Sequence, residues 1–259
     1  MKNGLKNKIY PLLFFAAVLG TWEIISAAGI FAAYILPAPS AILVSLFSDF
    51  KNMSGHILIT LYETFTGFFI AVFLSVIIAL IMDAVVTVKK TLYPVIIISQ
   101  TIPIIVLAPL FIIWFGYGYL PKIIIVILIC FFPVTVSFLQ GLSTADGELV
   151  DLMRSMGAGK YSIYRFVKIP SAMPAFFSGL KIAATYSIMG ATIGEWVGGK
   201  SGLGVYMIRA KHSFATDRVF AAILVITVLS IIFLKIIELA EKKYMPWLRM
   251  PEDFYIEEK

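Results

Sequence analysis

Long apolar runs separated by short polar interruptions fill most of this chain. A membrane-crossing helix takes about 20 largely apolar residues. Six stretches have that character, at about 10–30, 65–88, 92–115, 120–142, 175–197 and 219–239. The third contains Pro94, Pro103 and Pro109 and the fourth Pro133. Prolines are tolerated in spanning helices because neighbours re-satisfy the freed carbonyls, but they predict kinks. Leu36-Pro37-Ala38-Pro39-Ser40 and the weakly amphipathic stretch up to His56 read as an external connection.

The longest polar interruption falls between the fourth and fifth runs, at about 143–172. Leu149, Leu152, Met153 and Met156 recur there at the spacing of one helical face. Gly157 and Gly159 break that helix. A second short helix, at about 160–167, is expected to stop before Pro170, because a residue preceding proline is pushed out of the helical region. Two short helices at an angle, lying outside the membrane, make an object shaped for a partner to grip.

Composition narrows the class. Hydrophobic residues make up 60% of the chain and charged residues 14%, against about 25% charged in soluble proteins. At 259 residues the chain has room for a single domain of several spans. Cys130, the single cysteine, lies in an apolar run and reads as packing. The net charge of +6 does not point to nucleic acid, since the basic residues sit at the ends of the apolar runs.

Their distribution sets an orientation. With both termini inside, thirteen basic residues lie on the inner side: Lys2, Lys6, Lys8, Lys89, Lys90, Arg154, Lys160, Arg165, Lys168, Lys242, Lys243, Arg249 and Lys259. Six lie outside: Lys51, Lys122, Lys200, Arg209, Lys211 and Arg218. The positive-inside bias therefore puts segment 143–172 in the cytoplasm. The first run is too long for a signal peptide, despite Ser26-Ala27-Ala28, and further spans follow it.

Segment 143–172 also carries a family resemblance. Asp151, Gly157, Val167, Ile169 and Pro170 keep the spacing of a known pattern: Glu-Ala-Ala, three residues, Gly, nine residues, Ile-x-Leu-Pro. Leu152 and Met153 replace its two alanines. The pattern resembles the coupling loop of permease subunits in binding-protein-dependent ABC importers. The resemblance extends from Trp22-Glu23 and Leu36–Ser40 to Pro246-Trp247, and is strongest to the nitrate, sulfonate and taurine group. That group includes permeases for thiamine-pyrimidine precursors. The run from Thr101 to Leu110, with Trp114-Phe115-Gly116-Tyr117-Gly118, looks more like permeases for thiamine-pyrimidine or riboflavin-like precursors than like those for nitrate.

The resemblance implies an all-α membrane protein of the type I importer permease fold: six transmembrane helices, a cytoplasmic two-helix coupling loop, one domain over residues 1–259. It implies an ATPase-coupling set of Asp151, Arg154, Ser155, Met156, Gly157, Ala158, Lys160, Tyr161 and Pro170. It also implies ATP-binding subunits, an external solute-binding protein, a second permease subunit (a homodimer is expected) and a lipid bilayer as partners. The expected location is a bacterial or archaeal inner membrane, with both termini cytoplasmic. ATP and magnesium would be bound by the partner subunits, with no cofactor in this chain.

Other motifs have competing readings. Gly194-Glu195-Trp196-Val197-Gly198-Gly199-Lys200-Ser201 matches the phosphate-loop spelling. That chemistry needs a strand before the loop and a helix after it, whereas an apolar helix precedes it here. Gly190, Gly194 and Gly198, four apart, make a small-residue face for close helix packing, within the subunit or at a dimer seam. Ala183, Ser187 and Ala191 adjoin that face. Glu195 near a span end either faces a water-filled path or anchors the outer interface beside Trp196. Gln100 and Thr101 either line a substrate path or bond between helices, and Tyr186 joins them as a path candidate. Glu23, Glu63, Asp83 and Lys181 near span ends are expected to be solvated at the interface or to snorkel.

No zinc-helix motif or nucleophile elbow occurs, His56 and His212 are the only histidines, and no metal site is expected. The acidic pairs Glu252-Asp253 and Glu257-Glu258 read as a solvated end. The main reading is a non-catalytic membrane subunit that forms the path for a small polar solute. The alternative is a stand-alone secondary carrier, which would show internal repeats and mid-membrane ionisable groups; no repeat between the halves is evident.

Overall fold

A computed structural model describes residues 2–246. Trp247, Arg249, Lys259 and the acidic pairs lie outside the described residues. The described chain is helical, with α1 at Lys2–Ala27, α2 at Pro39–Ser48, α3 at Phe50–Ala84 and α4 at Val86–Ser99. There follow α5 at Ile104–Phe115, α6 at Leu120–Ser143, α7 at Gly147–Ser155 and α8 at Lys160–Ile163. A π-helical turn, Tyr164–Lys168, leads into α9 at Ile169–Gly198, then α10 at Leu203–His212 and α11 at Thr216–Tyr244.

Among the described residues, α3, α6 and α11 are long and apolar enough to cross a membrane. Helices α4 and α5 meet that measure only as a pair, bent by 100° across a short break. The expected kinked helix at 92–115 is therefore two helices with a break between them. Pro103 explains the break: it offers no N–H to continue α4, and it opens α5 with an extended backbone. By contrast α6 runs unbroken through Pro133.

The expected span at 175–197 does not pass on length and composition alone, and within α1 the stretch Leu13–Ala27 is a shorter apolar helix. For α9 the packing gives the reason. Its Gly179, Ala183, Ala184, Ser187, Gly190, Ala191 and Gly194 are buried, and it touches α3, α5, α6, α10 and α11. A helix surrounded by protein needs small residues for close approach more than it needs apolar bulk. The helices at the periphery show the converse, with Phe69 and Phe73 on α3 and Ile231, Ile232 and Ile236 on α11 exposed. Large apolar groups outside and small ones inside is the pattern of a bundle that has lipid as its solvent.

Cys130 is fully buried with Phe68, Val126, Phe177 and Phe233, in the packing role its sequence context suggests. A second cluster joins Ile42 of α2, Met53 of α3, Leu203 and Tyr206 of α10 and Ala221 of α11 at one end of the bundle. A third gathers Met82, Phe138, Leu139, Leu142 and Ala172 at the other end. Helix α3 starts at Phe50, about fifteen residues before the expected span, because Met53 and Thr60 are buried against α10 and its approach loop rather than standing in a connection.

Candidate functional site

Segment 143–172 forms a bracket at the end of the bundle where α6 finishes and α9 begins. Asp146 caps α7 by accepting the Glu148 N–H at 2.9 Å, and Arg154 lies in its last turn. Both suit the helix dipole. After α7 the chain reverses at Gly157, whose φ of 82° is left-handed. The Ala158 N–H returns to the Met153 carbonyl and the Gly157 N–H to the Arg154 carbonyl, both at 2.9 Å. This double return is the Schellman stop, in which glycine takes the left-handed place without Cβ strain.

The expected helical face divides in two. Met153 packs inward with Val150, Ile163, Val167 and Ala158, while Leu149, Leu152 and Met156 face out, together with Tyr161. Met156 is 76% exposed and Tyr161 73%. Asp151 pairs with Arg154 at 3.1 Å, both in solvent. Ser155 is exposed and its hydroxyl is bonded to the Asp151 carbonyl at 3.0 Å. Lys160 opens α8 with its side chain exposed.

The second short helix does not stop before Pro170. Ile169 keeps helical dihedrals (φ −65°, ψ −48°), and α8, the π turn and α9 run on as one continuous rod. The π turn supplies the reason: the Ile169 N–H bonds the Tyr164 carbonyl, five residues back. A widened turn of this kind shifts the carbonyl ladder by one place, so Pro170 enters without breaking the helix. The second half of the bracket is thereby continuous with the central helix α9.

A tether fixes the bracket to α3. Asp83 accepts from the Tyr164 hydroxyl and from Lys168 Nζ, each at 2.6 Å. Partial burial, with the Asp83 carboxylate alongside, pushes the Tyr164 phenol above its ordinary value. Asp83 is thus partnered rather than solvated. No local signal reveals that Asp83 will meet Tyr164 and Lys168, more than eighty residues away.

At the opposite end of α6 and α9 lies a buried polar network. Lys122 Nζ donates to Glu63 Oε1 at 2.7 Å, with neither side chain open to solvent. Glu195 Oε1 accepts from the Thr60 hydroxyl and Oε2 from the Gly204 N–H, each at 2.6 Å. The Leu203 N–H donates to Thr60 Oγ1 and the Gly202 N–H to His56 Nδ1, both at 2.9 Å. Gly202 has φ 117°, and a Cβ there would strike the Glu195 carboxyl group. Glu195, only 1% exposed, pins the loop between α9 and α10. Glu63 and Lys122 are a buried pair, not an interfacial anchor and an outer charge. Elsewhere Lys181 pairs with Glu241 at 3.0 Å, and Glu23 accepts from Ser40.

The phosphate-loop spelling has no loop: Gly194–Gly198 forms the last turn of α9, and the Gly199 N–H is used by the Glu195 carbonyl at 2.9 Å. The small-residue face packs within the chain. A Cβ on Gly190 would meet Ile129, one on Gly194 the Lys122 backbone at 3.1 Å, and one on Gly198 Ile112. Of the path candidates, Gln100 and Tyr186 line one cavity. Thr101 is exposed at the nearby break, with its hydroxyl on the Ile98 carbonyl at 2.7 Å. Glu195 belongs to the separate network and is not brought to them. Among the described residues no group of three or more His, Cys, Asp or Glu side chains is placed to hold a metal ion.

Residues 71–245 match the family described as binding-protein-dependent transport system inner membrane component. The chain is 36% identical over 221 residues to a probable ABC transporter permease protein of Haemophilus influenzae, covering 85% of this chain and 90% of that protein. It is 34% identical over 238 residues to the formylaminopyrimidine transport permease protein ThiX of Halalkalibacterium halodurans, covering 92% and 95%. A putative aliphatic sulfonates transport permease protein, SsuC of Bacillus subtilis, is 27% identical over 239 residues. A crystal structure of an amino acid ABC transporter shares the fold at a TM-score of 0.65 and 18% identity, over 77% of this chain and 97% of that one.

Proposed function

The chain belongs to the inner-membrane components of binding-protein-dependent transport systems, and from that premise we propose that it is the path-forming subunit of an ATP-driven importer. Two copies span the bilayer with their termini and brackets in the cytoplasm. Each bracket seats in a soluble ATP-binding subunit, and an external solute-binding protein delivers a small polar solute to the opposite end. Catalysis rests with the ATPase partners, which bind ATP and magnesium. The similarity to ThiX over 92% of the chain supports a pyrimidine-type solute.

One observation carries this reading: Leu149, Leu152, Met156 and Tyr161 stand exposed on a polar segment outside the spans. Apolar groups in that place are neither in lipid nor in the core, and a small cluster rimmed by Asp151, Arg154 and Lys160 fits a protein partner. The continuity of α8 with α9 makes the bracket a lever, since displacing it moves the helix at the centre of the bundle. A conformational equilibrium can then be biased from both faces, by ATP on one side and the loaded receptor on the other.

The test is co-purification. The ATP-binding subunit expressed alongside should be retained on the tagged wild-type permease and lost with Met156→Glu, while the yield of folded permease is unchanged. Equal retention by both would remove the bracket from the interface.

A further inference from the structure

The break between α4 and α5 opens on a cavity of about 250 Å³, lined by Ser99, Gln100, Ile102, Phe132, Pro133 and Tyr186 among others. Phe132 and Pro133 lie at the middle of α6, one of the long apolar spans, so the cavity is at mid-membrane depth. Gln100, Thr101, Ile102 and Pro103 are all exposed there. Non-helical backbone at that depth is tolerated only when it is buried in protein or lines a water-filled space. Pro133 adds a second polar element, since it gives no N–H to the carbonyl of Ile129, which also lines the cavity. An exposed amide, a phenol and loosened backbone together suit a polar surrounding on this face better than lipid.

The lining has no charge. Its polar side chains are Ser99, Gln100 and Tyr186. Lys181, beside the lining residue Ile182, has its ammonium group turned to the Glu241 carboxylate at 3.0 Å. Glu63, Lys122 and Glu195 lie at the end of the bundle, outside this lining. An anion at mid-depth would meet no fixed cation from this lining, and an unpaired charge there is costly. Gln100 offers both a donor and an acceptor, and Tyr186 does the same. Phe132 supplies an aromatic face.

We propose that this cavity is the mid-membrane passage site for a small uncharged solute that carries both hydrogen-bond donors and acceptors. The site rests on the importer reading for its biological use, but its water content and its exclusion of anions are measurable without it. Thiol accessibility is the test, in the membrane-embedded full chain with Cys130→Ser. Gln100→Cys, and independently Tyr186→Cys, are treated with neutral and with sulfonate-bearing methanethiosulfonate reagents of similar size. Ile232→Cys, exposed on the outer face of α11, is the lipid control.

The neutral reagent should modify the two cavity positions at least ~10-fold faster than position 232. The sulfonate reagent should be slower there by a further ~10-fold, after division by the same rate ratio on β-mercaptoethanol. Labelling of both cavity positions no faster than the control would overturn the aqueous site. Equal normalised rates for the two reagents would overturn its preference for uncharged solutes. Failure of the importer reading would appear elsewhere, as absent receptor-stimulated ATP hydrolysis by the wild-type assembly.

Discussion

Lys122 carries its ammonium group into the buried end of the bundle. It holds Glu63 at 2.7 Å with both side chains out of solvent. Removing one partner of a buried pair leaves an uncompensated charge and costs about 3–5 kcal/mol, whereas replacing both by apolar groups is often neutral. Lys122→Met should therefore lower the unfolding midpoint in detergent sharply, and Glu63→Leu combined with Lys122→Met should recover most of the loss. An unchanged midpoint for the single variant would show the pair to be dispensable. Sequence reasoning put Glu63 and Lys122 at interfaces because each lies near the end of an apolar run. Their mutual burial depends on α3 and α6 docking in one register, which no local pattern encodes. Gly157 was legible for the opposite reason: a stop between two polar helices is a local matter, and its positive φ follows from chain geometry alone.

Among elements, the bracket is best defined by what holds it. Asp83 binds both Tyr164 and Lys168, and with that tether α8 and the π turn are fixed to the end of α3. Asp83→Ala should leave the spans assembled but raise amide hydrogen exchange over Gly147–Lys168, measured against the amides of α6; unchanged exchange would mean that the apolar contacts of Val150, Ile163 and Val167 suffice. The Asp151–Arg154 pair is different. Both side chains are in solvent, where such pairs contribute about 0–1 kcal/mol, so its chemistry is available to a partner without cost to the fold. The positions of α6, α11 and the bracket were readable from runs and breaks. The rest of the bracket's form was not: the π turn that carries the chain past Pro170 is an arrangement of carbonyls, and proline's usual effect on its predecessor argues against it. The early start of α3 likewise depends on contacts with α10 and its approach loop.

At the scale of the whole molecule, the proposed topology has the bracket and the Glu195 network on opposite sides of a membrane. Cysteines at Lys160 and Lys211, in a chain lacking Cys130, should be modified from opposite sides; labelling of both by an impermeant reagent in intact cells would refute that arrangement. In the proposed mechanism ATP hydrolysis and solute movement are linked through the rod formed by α8, the π turn and α9. Gly157→Val forces a β-branched side chain into a left-handed conformation, a strain of about 1–3 kcal/mol that the exposed bracket relieves by changing its angle. Asp151→Lys reverses the charge on the docking face and leaves the spans untouched. The decisive measurement is receptor-stimulated ATP turnover in reconstituted vesicles containing the permease, its ATPase and its loaded receptor. Wild type should be stimulated, and both variants, inserted and folded in equal amount, should have lost the stimulation. Wild-type stimulation in both variants would contradict the proposed mechanism.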